Sequence, residues 1–116
     1  MPSPSQALPD VLGRIDAELD NSVNRLFDFL KIQSISTDPA YKDQCRAAAD
    51  FIARDLSGIG FDASVRPTEG HPVVVAKSDE GRGNGHGQAP RVLFYGHYDV
   101  QPVSYTHLTL PTNREV

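Results

Sequence analysis

With 116 residues the chain has room for about one domain, at roughly 100–200 residues each, and none for a complete multi-domain enzyme. Its 39% hydrophobic and 22% charged residues are those of an ordinary folded protein, and fifteen acids against eleven bases leave a net charge of −4, unsuited to nucleic acid or an anionic membrane surface. No apolar run exceeds four residues, which excludes a membrane-spanning helix of about 20, and a single cysteine excludes an internal disulfide framework or a thiolate metal cluster. The start of the chain has neither a basic cluster nor an apolar stretch, so it does not read as a secretory signal, and a cytoplasmic protein is expected.

Residues 1–9 are rich in Pro and Ser and read as a frayed lead-in. From Asp10, a plausible N-cap, Val11, Leu12, Ile15, Leu19, Val23, Leu26, Phe27 and Leu30 recur at spacings of three and four, which predicts a helix to about Ile32. The turn-forming run Ser34, Ser36, Thr37, Asp38, Pro39 follows. A second helix is predicted from Ala40–Asp43 to Ile59, burying Ala47, Ala48, Phe51, Ile52, Leu56 and Ile59, with Gly58 and Gly60 supplying the positive φ of a C-terminal cap. Cys45 on this helix reads as a small packed residue, because a reactive thiol needs an exposed electropositive setting.

The period then changes to two. Phe61, Ala63 and Val65 alternate with Asp62, Ser64 and Arg66, predicting a half-buried strand that stops at Pro67. Val73–Ala76 and Val92–Tyr95 are short continuous apolar runs of the kind that suits strands covered on both faces. The glycine-rich stretch 79–88 between them lacks both a following helix and the spacing of a phosphate loop, and reads as a solvated connection. Two helices followed by three strands give an α/β fold with a mixed or largely parallel sheet.

Four histidines are candidates for chemistry. His71, in a Thr-Glu-Gly-His-Pro turn, and His86, in the glycine loop, read as exposed loop residues. His107 lies in the C-terminal stretch treated below. His97 follows the run Val92–Tyr95 after Gly96, at the carboxyl end of a predicted strand, where sites of α/β proteins gather. Its imidazole can offer a nitrogen to a metal while Asp99, two residues on and on the same side of extended chain, fixes the tautomer. Spacing alone leaves a structural histidine as the alternative.

The longer string Leu93-Phe94-Tyr95-Gly96-His97-Tyr98-Asp99-Val100-Gln101-Pro102 resembles the first metal-binding signature of the M20 family of metallopeptidases, in the form found in its dipeptidase branch, which includes cytosolic non-specific and carnosine-type dipeptidases. Leu30–Thr37 is similar to the loop closing that family's first helix, and Leu56–Phe61 to its second helix and the turn into the first strand. The resemblance runs over residues 10–103 with its segments in the right order. It implies the N-terminal part of a three-layer zinc-peptidase catalytic domain (residues 1–103) and a co-catalytic two-metal hydrolase, usually with two Zn2+, that cleaves dipeptides or short peptides. It implies His97 as a metal ligand and Asp99 as catalytic. The bridging aspartate, the paired glutamates, the later ligands and the lid domain that commonly mediates homodimerisation have no counterpart in this chain, so the chain as it stands is expected to be inactive. An M20-type deacylase of N-acyl amino acids is the neighbouring alternative; a short non-catalytic α/β module is the alternative outside the enzymes. Residues 104–116 depart from the family pattern. A back-translation of Val103–Thr112 resembles the transposase end and adapter of sequencing libraries, so a non-native tail is expected here, in which Tyr105 and His107 have no functional role; a natural, unusual terminus or a frameshift is the alternative.

Overall fold

The helix expected from Asp10 already starts at Pro4 in the computed structural model, which describes residues 3–78 and 90–102. Ser3 is the reason. Its Oγ accepts the Gln6 N–H at 3.4 Å while Gln6 Oε1 accepts the Ser3 N–H at 2.9 Å, a reciprocal capping box. Pro4 takes the first helical position, where a missing N–H costs nothing. The expected lead-in is therefore helical from Pro4 on. Two units follow one another along the chain, Met1–Lys31 and Ile32–Val116.

The first unit holds α1 (Pro4–Ala17) and α2 (Leu19–Leu30), separated by Glu18 at φ −101°, ψ 8°. The Glu18 carboxylate pairs with Arg14 at 3.6 Å and accepts from Asn21 Nδ2 at 2.7 Å, so its side chain is tied on both sides of the interruption. One predicted helix is thus two, ending at Leu30. Its apolar stripe is not buried: Val11, Leu12, Ile15, Leu19, Leu26 and Phe27 are all exposed.

In the second unit Asp38 caps a short 3-10 turn, Pro39–Tyr41, by accepting the Ala40 N–H at 2.9 Å, and α3 runs from Lys42 to Gly58. Cys45, Ala48 and Ala49 are fully buried, at the i, i+3, i+4 spacing of one helix face. The predicted face was displaced toward the C-terminus: Ala47, Phe51, Ile52 and Leu56 are half-buried and Ile59 is exposed. Burial first, and the Asp99 charge second, push the Cys45 thiol pKa up, so it stays protonated and packed as expected. Of Gly58 and Gly60, it is Gly60 that takes positive φ, at 102°. Phe61 N–H reaches Leu56 O at 3.1 Å and Gly60 N–H reaches Ser57 O at 3.1 Å, the paired bonds of a Schellman cap, whereas Gly58 remains helical.

Strands β1 (Asp62–Arg66) and β2 (Val73–Lys77) pair antiparallel, with Asp62 opposite Lys77 and Arg66 opposite Val73, and α3 packs on both. Three helices and this sheet make the described residues an incomplete α/β fold. Val74, Val75 and Ala76 are half-buried rather than enclosed on both faces. The third predicted strand is corrected more sharply. Val92, Leu93, Phe94 and Tyr95 carry no regular secondary structure and are 73%, 92%, 89% and 90% exposed. A strand exists only through bonds to a neighbouring backbone, and no described residue pairs with this run. The expected connection over 79–88, with His86, falls outside the described residues, as does the stretch 104–116 with His107. Among the described residues no helix is long and apolar enough to cross a membrane.

Candidate functional site

The segment after the exposed run is anchored by the loop that precedes α3. Ser34 is buried with every polar group used. Its Oγ donates to Tyr98 O at 2.9 Å, its carbonyl accepts the Val100 N–H at 2.9 Å, and its own N–H donates to Ile32 O at 2.9 Å. Ile35 and Val100 form an isolated parallel bridge beside it. From the other side Tyr98 Oη donates to Pro72 O at 2.6 Å, fastening the segment to the turn between β1 and β2. These bonds take the place of the strand that was expected to present His97.

On this anchored backbone His97 and Asp99 meet. His97 Nδ1 lies 2.7 Å from Asp99 Oδ1, and Ser36 Oγ donates to Asp99 Oδ2 at 2.5 Å. The Asp99 side chain is 26% exposed and that of His97 is 76% exposed. The Ser36 hydroxyl, then the His97 ring, hold the Asp99 carboxyl below the ordinary carboxylate range, against the smaller opposing effect of burial. An ionised carboxylate only accepts, so the imidazole proton sits on Nδ1 and a neutral His97 carries a bare lone pair on Nε2. The result is one oriented, solvent-facing nitrogen donor with a carboxylate behind it.

The pH dependence has a definite sign. A carboxyl whose folded-state pKa is depressed contributes stability that is present above the unfolded value, about 3.9, and lost as pH falls through the folded value. The Ser36–Asp99–His97 contacts are therefore expected to survive at pH 3.9 and to fail only in stronger acid. Carbon-13 NMR titration of the Asp99 carboxyl in the folded protein checks this, and a midpoint at or above 3.9 contradicts it.

His71 is corrected from an exposed loop residue to a half-buried one. Its Nε2 lies 2.8 Å from the Ser36 carbonyl oxygen, and its Nδ1 is buried without a hydrogen-bond partner. Thr68 Oγ1 donates to His71 O at 2.7 Å and accepts the Gly70 N–H at 3.0 Å, which shapes the turn. Ser34, Ser36 and His71 thus join the neighbourhood of His97, although the sequence marks the two serines only as turn formers. Among the described residues no group of three or more His, Cys, Asp or Glu side chains gathers where it could hold a metal ion. The donor set present suits one corner of a metal shell, since zinc needs three or four protein ligands.

No protein-family profile matches the chain, and no solved structure matches it. Similarity to curated proteins does exist. The chain is 29% identical over 113 aligned residues to the Cys-Gly metallodipeptidase of Saccharomyces cerevisiae, an alignment covering 84% of this chain and 22% of that protein. It is 28% identical over 95 residues to the Cys-Gly metallodipeptidase of Schizosaccharomyces pombe, covering 78% of this chain and 20% of that protein. The chain spans about a fifth of the length of these relatives. The matches relate it to metallodipeptidases.

Proposed function

We propose that this chain is the N-terminal part of an M20-type dipeptidase in which His97 ligates a divalent metal, most simply zinc, and Asp99 orients it. The observation that carries the reading is the 2.7 Å contact from His97 Nδ1 to Asp99 Oδ1, which leaves Nε2 toward solvent. A carboxylate behind a ligating imidazole fixes the tautomer and raises the basicity of the free nitrogen. The similarity to Cys-Gly metallodipeptidases, over most of this chain, supports the same class of substrate. Asp99 touches His97 and Ser36 among the described residues, so its part is that of a positioning group.

A pair of metal ions held partly by His97 would lower the pKa of a bound water and polarise the scissile carbonyl. The chain's own share is to fix one ligand. Ser34 and Tyr98 hold the backbone, Ser36 and Asp99 hold the ring, and Nε2 is presented. On this reading the other ligands and the general base lie outside residues 1–116, and these residues alone are expected not to hydrolyse peptides.

Two measurements test the reading. The chromosomal locus is expected to diverge from this chain after about Val103 and to continue for several times its length; a locus encoding Tyr105–Val116 followed by a stop codon refutes it. The longer protein, assayed with dipeptides and with N-acyl amino acids, is expected to prefer dipeptides. Preference for the acyl compounds would reassign it to a deacylase.

A further inference from the structure

The geometry points to Ser36 as a positioning residue for His97, acting through Asp99, with His71 holding Ser36 in place. This rests on the reading of His97 as a metal ligand. Asp99 offers two oxygens, and each takes one donor: His97 Nδ1 at Oδ1 and Ser36 Oγ at Oδ2. With the His97 contact alone, the carboxylate would be free to turn about its terminal torsion, which is broad and has no sharp staggered minima. The imidazole would turn with it, and its exposed ring has little packing to resist, being 76% exposed. The Ser36 bond removes that freedom by fixing the second oxygen.

Ser36 is itself held from outside its loop. A carbonyl oxygen only accepts, so at 2.8 Å His71 Nε2 carries the proton and donates to Ser36 O. The buried Nδ1 has no partner, which leaves the Nε2 bond to hold the ring. On the other flank of Ser36, the Ile35–Val100 bridge and the Ser34 bonds fix the same loop against the segment that carries Asp99. The line His71–Ser36–Asp99–His97 therefore runs from the turn between β1 and β2 to the outward nitrogen.

The test uses the longer protein and four variants: Ser36→Ala, Ser36→Val, Ser36→Thr and His97→Ala. Zinc affinity is read by competition with a chromophoric chelator, and the melting temperature of each metal-free variant is recorded beside it. Threonine keeps the hydroxyl and valine has nearly the same shape without it, so their difference reports the hydrogen bond. Alanine removes the hydroxyl without adding bulk, should valine prevent folding. Ser36→Ala and Ser36→Val are expected to bind zinc about 10–100-fold more weakly than wild type, the usual cost of losing a partner that orients a ligand. Ser36→Thr is expected to restore the affinity, at similar melting temperatures. Wild-type affinity in either hydroxyl-free variant, or equal weakening in Thr and Val, overturns the assignment of Ser36. If His97→Ala binds zinc as wild type does, the metal-ligand reading fails, and the role of Ser36 fails with it.

Discussion

His97→Ala in the longer protein is expected to reduce dipeptide hydrolysis to background and to lower the zinc bound per chain, while Asp99→Asn is expected to leave zinc bound but with its affinity, and the turnover, lowered about 10–100-fold. If His97 ligates a metal as proposed, the two substitutions act at different distances from it. Removing the imidazole takes away a donor from a shell of three or four protein ligands, and no nearby His, Cys, Asp or Glu cluster among the described residues can replace it. Asparagine keeps the shape of Asp99 but offers only one carbonyl oxygen, and its amide nitrogen cannot accept a hydrogen bond. One of the two donors at Asp99, from His97 or from Ser36, must then lose its acceptor. Metal analysis and steady-state kinetics on both variants check this. Near-normal turnover in both would remove this pair from the site.

The isolated chain of 116 residues is expected to self-associate and to unfold without a single cooperative transition. Its fully buried apolar side chains among the described residues are Cys45, Ala48 and Ala49, all small. Fully burying a large apolar side chain stabilises by about 1.5–3 kcal/mol, while ordering each residue's backbone costs about 1–2 kcal/mol. Three small residues cannot offset that cost across two units. The surface adds a second hazard, since Leu93, Phe94 and Tyr95 stand about nine-tenths exposed in a run with no described pairing partner. Such a segment is a template for another chain. Sedimentation and calorimetry of residues 1–116 would show it, and Leu93→Asp with Phe94→Asp should reduce the association. A monomer with one sharp transition would contradict the expectation.

What could be read from the sequence follows the range of the interactions involved. Helix α3, its Gly60 cap and both strands were legible because they arise from periodicity and local backbone chemistry within a few residues. The His97–Asp99 contact was legible for the same reason, as its partners lie two positions apart. The start of α1 was missed although its signal is local: Ser3-x-x-Gln6 is a capping box, hidden in a stretch whose prolines suggest fraying. The run Val92–Tyr95 misled because its composition suits a strand while its state depends on a partner backbone. Ser34, Ser36 and His71 could not have been found from sequence. Their bonds span 64, 63 and 35 positions, and a serine in a turn looks the same with or without a distant carboxylate.

The most direct test of the proposed metal site is to strip the longer protein with a chelator, assay dipeptide hydrolysis, and then restore zinc. Hydrolysis is expected to vanish on stripping and to return with the metal. Undiminished hydrolysis by the metal-free protein would contradict the role given to His97.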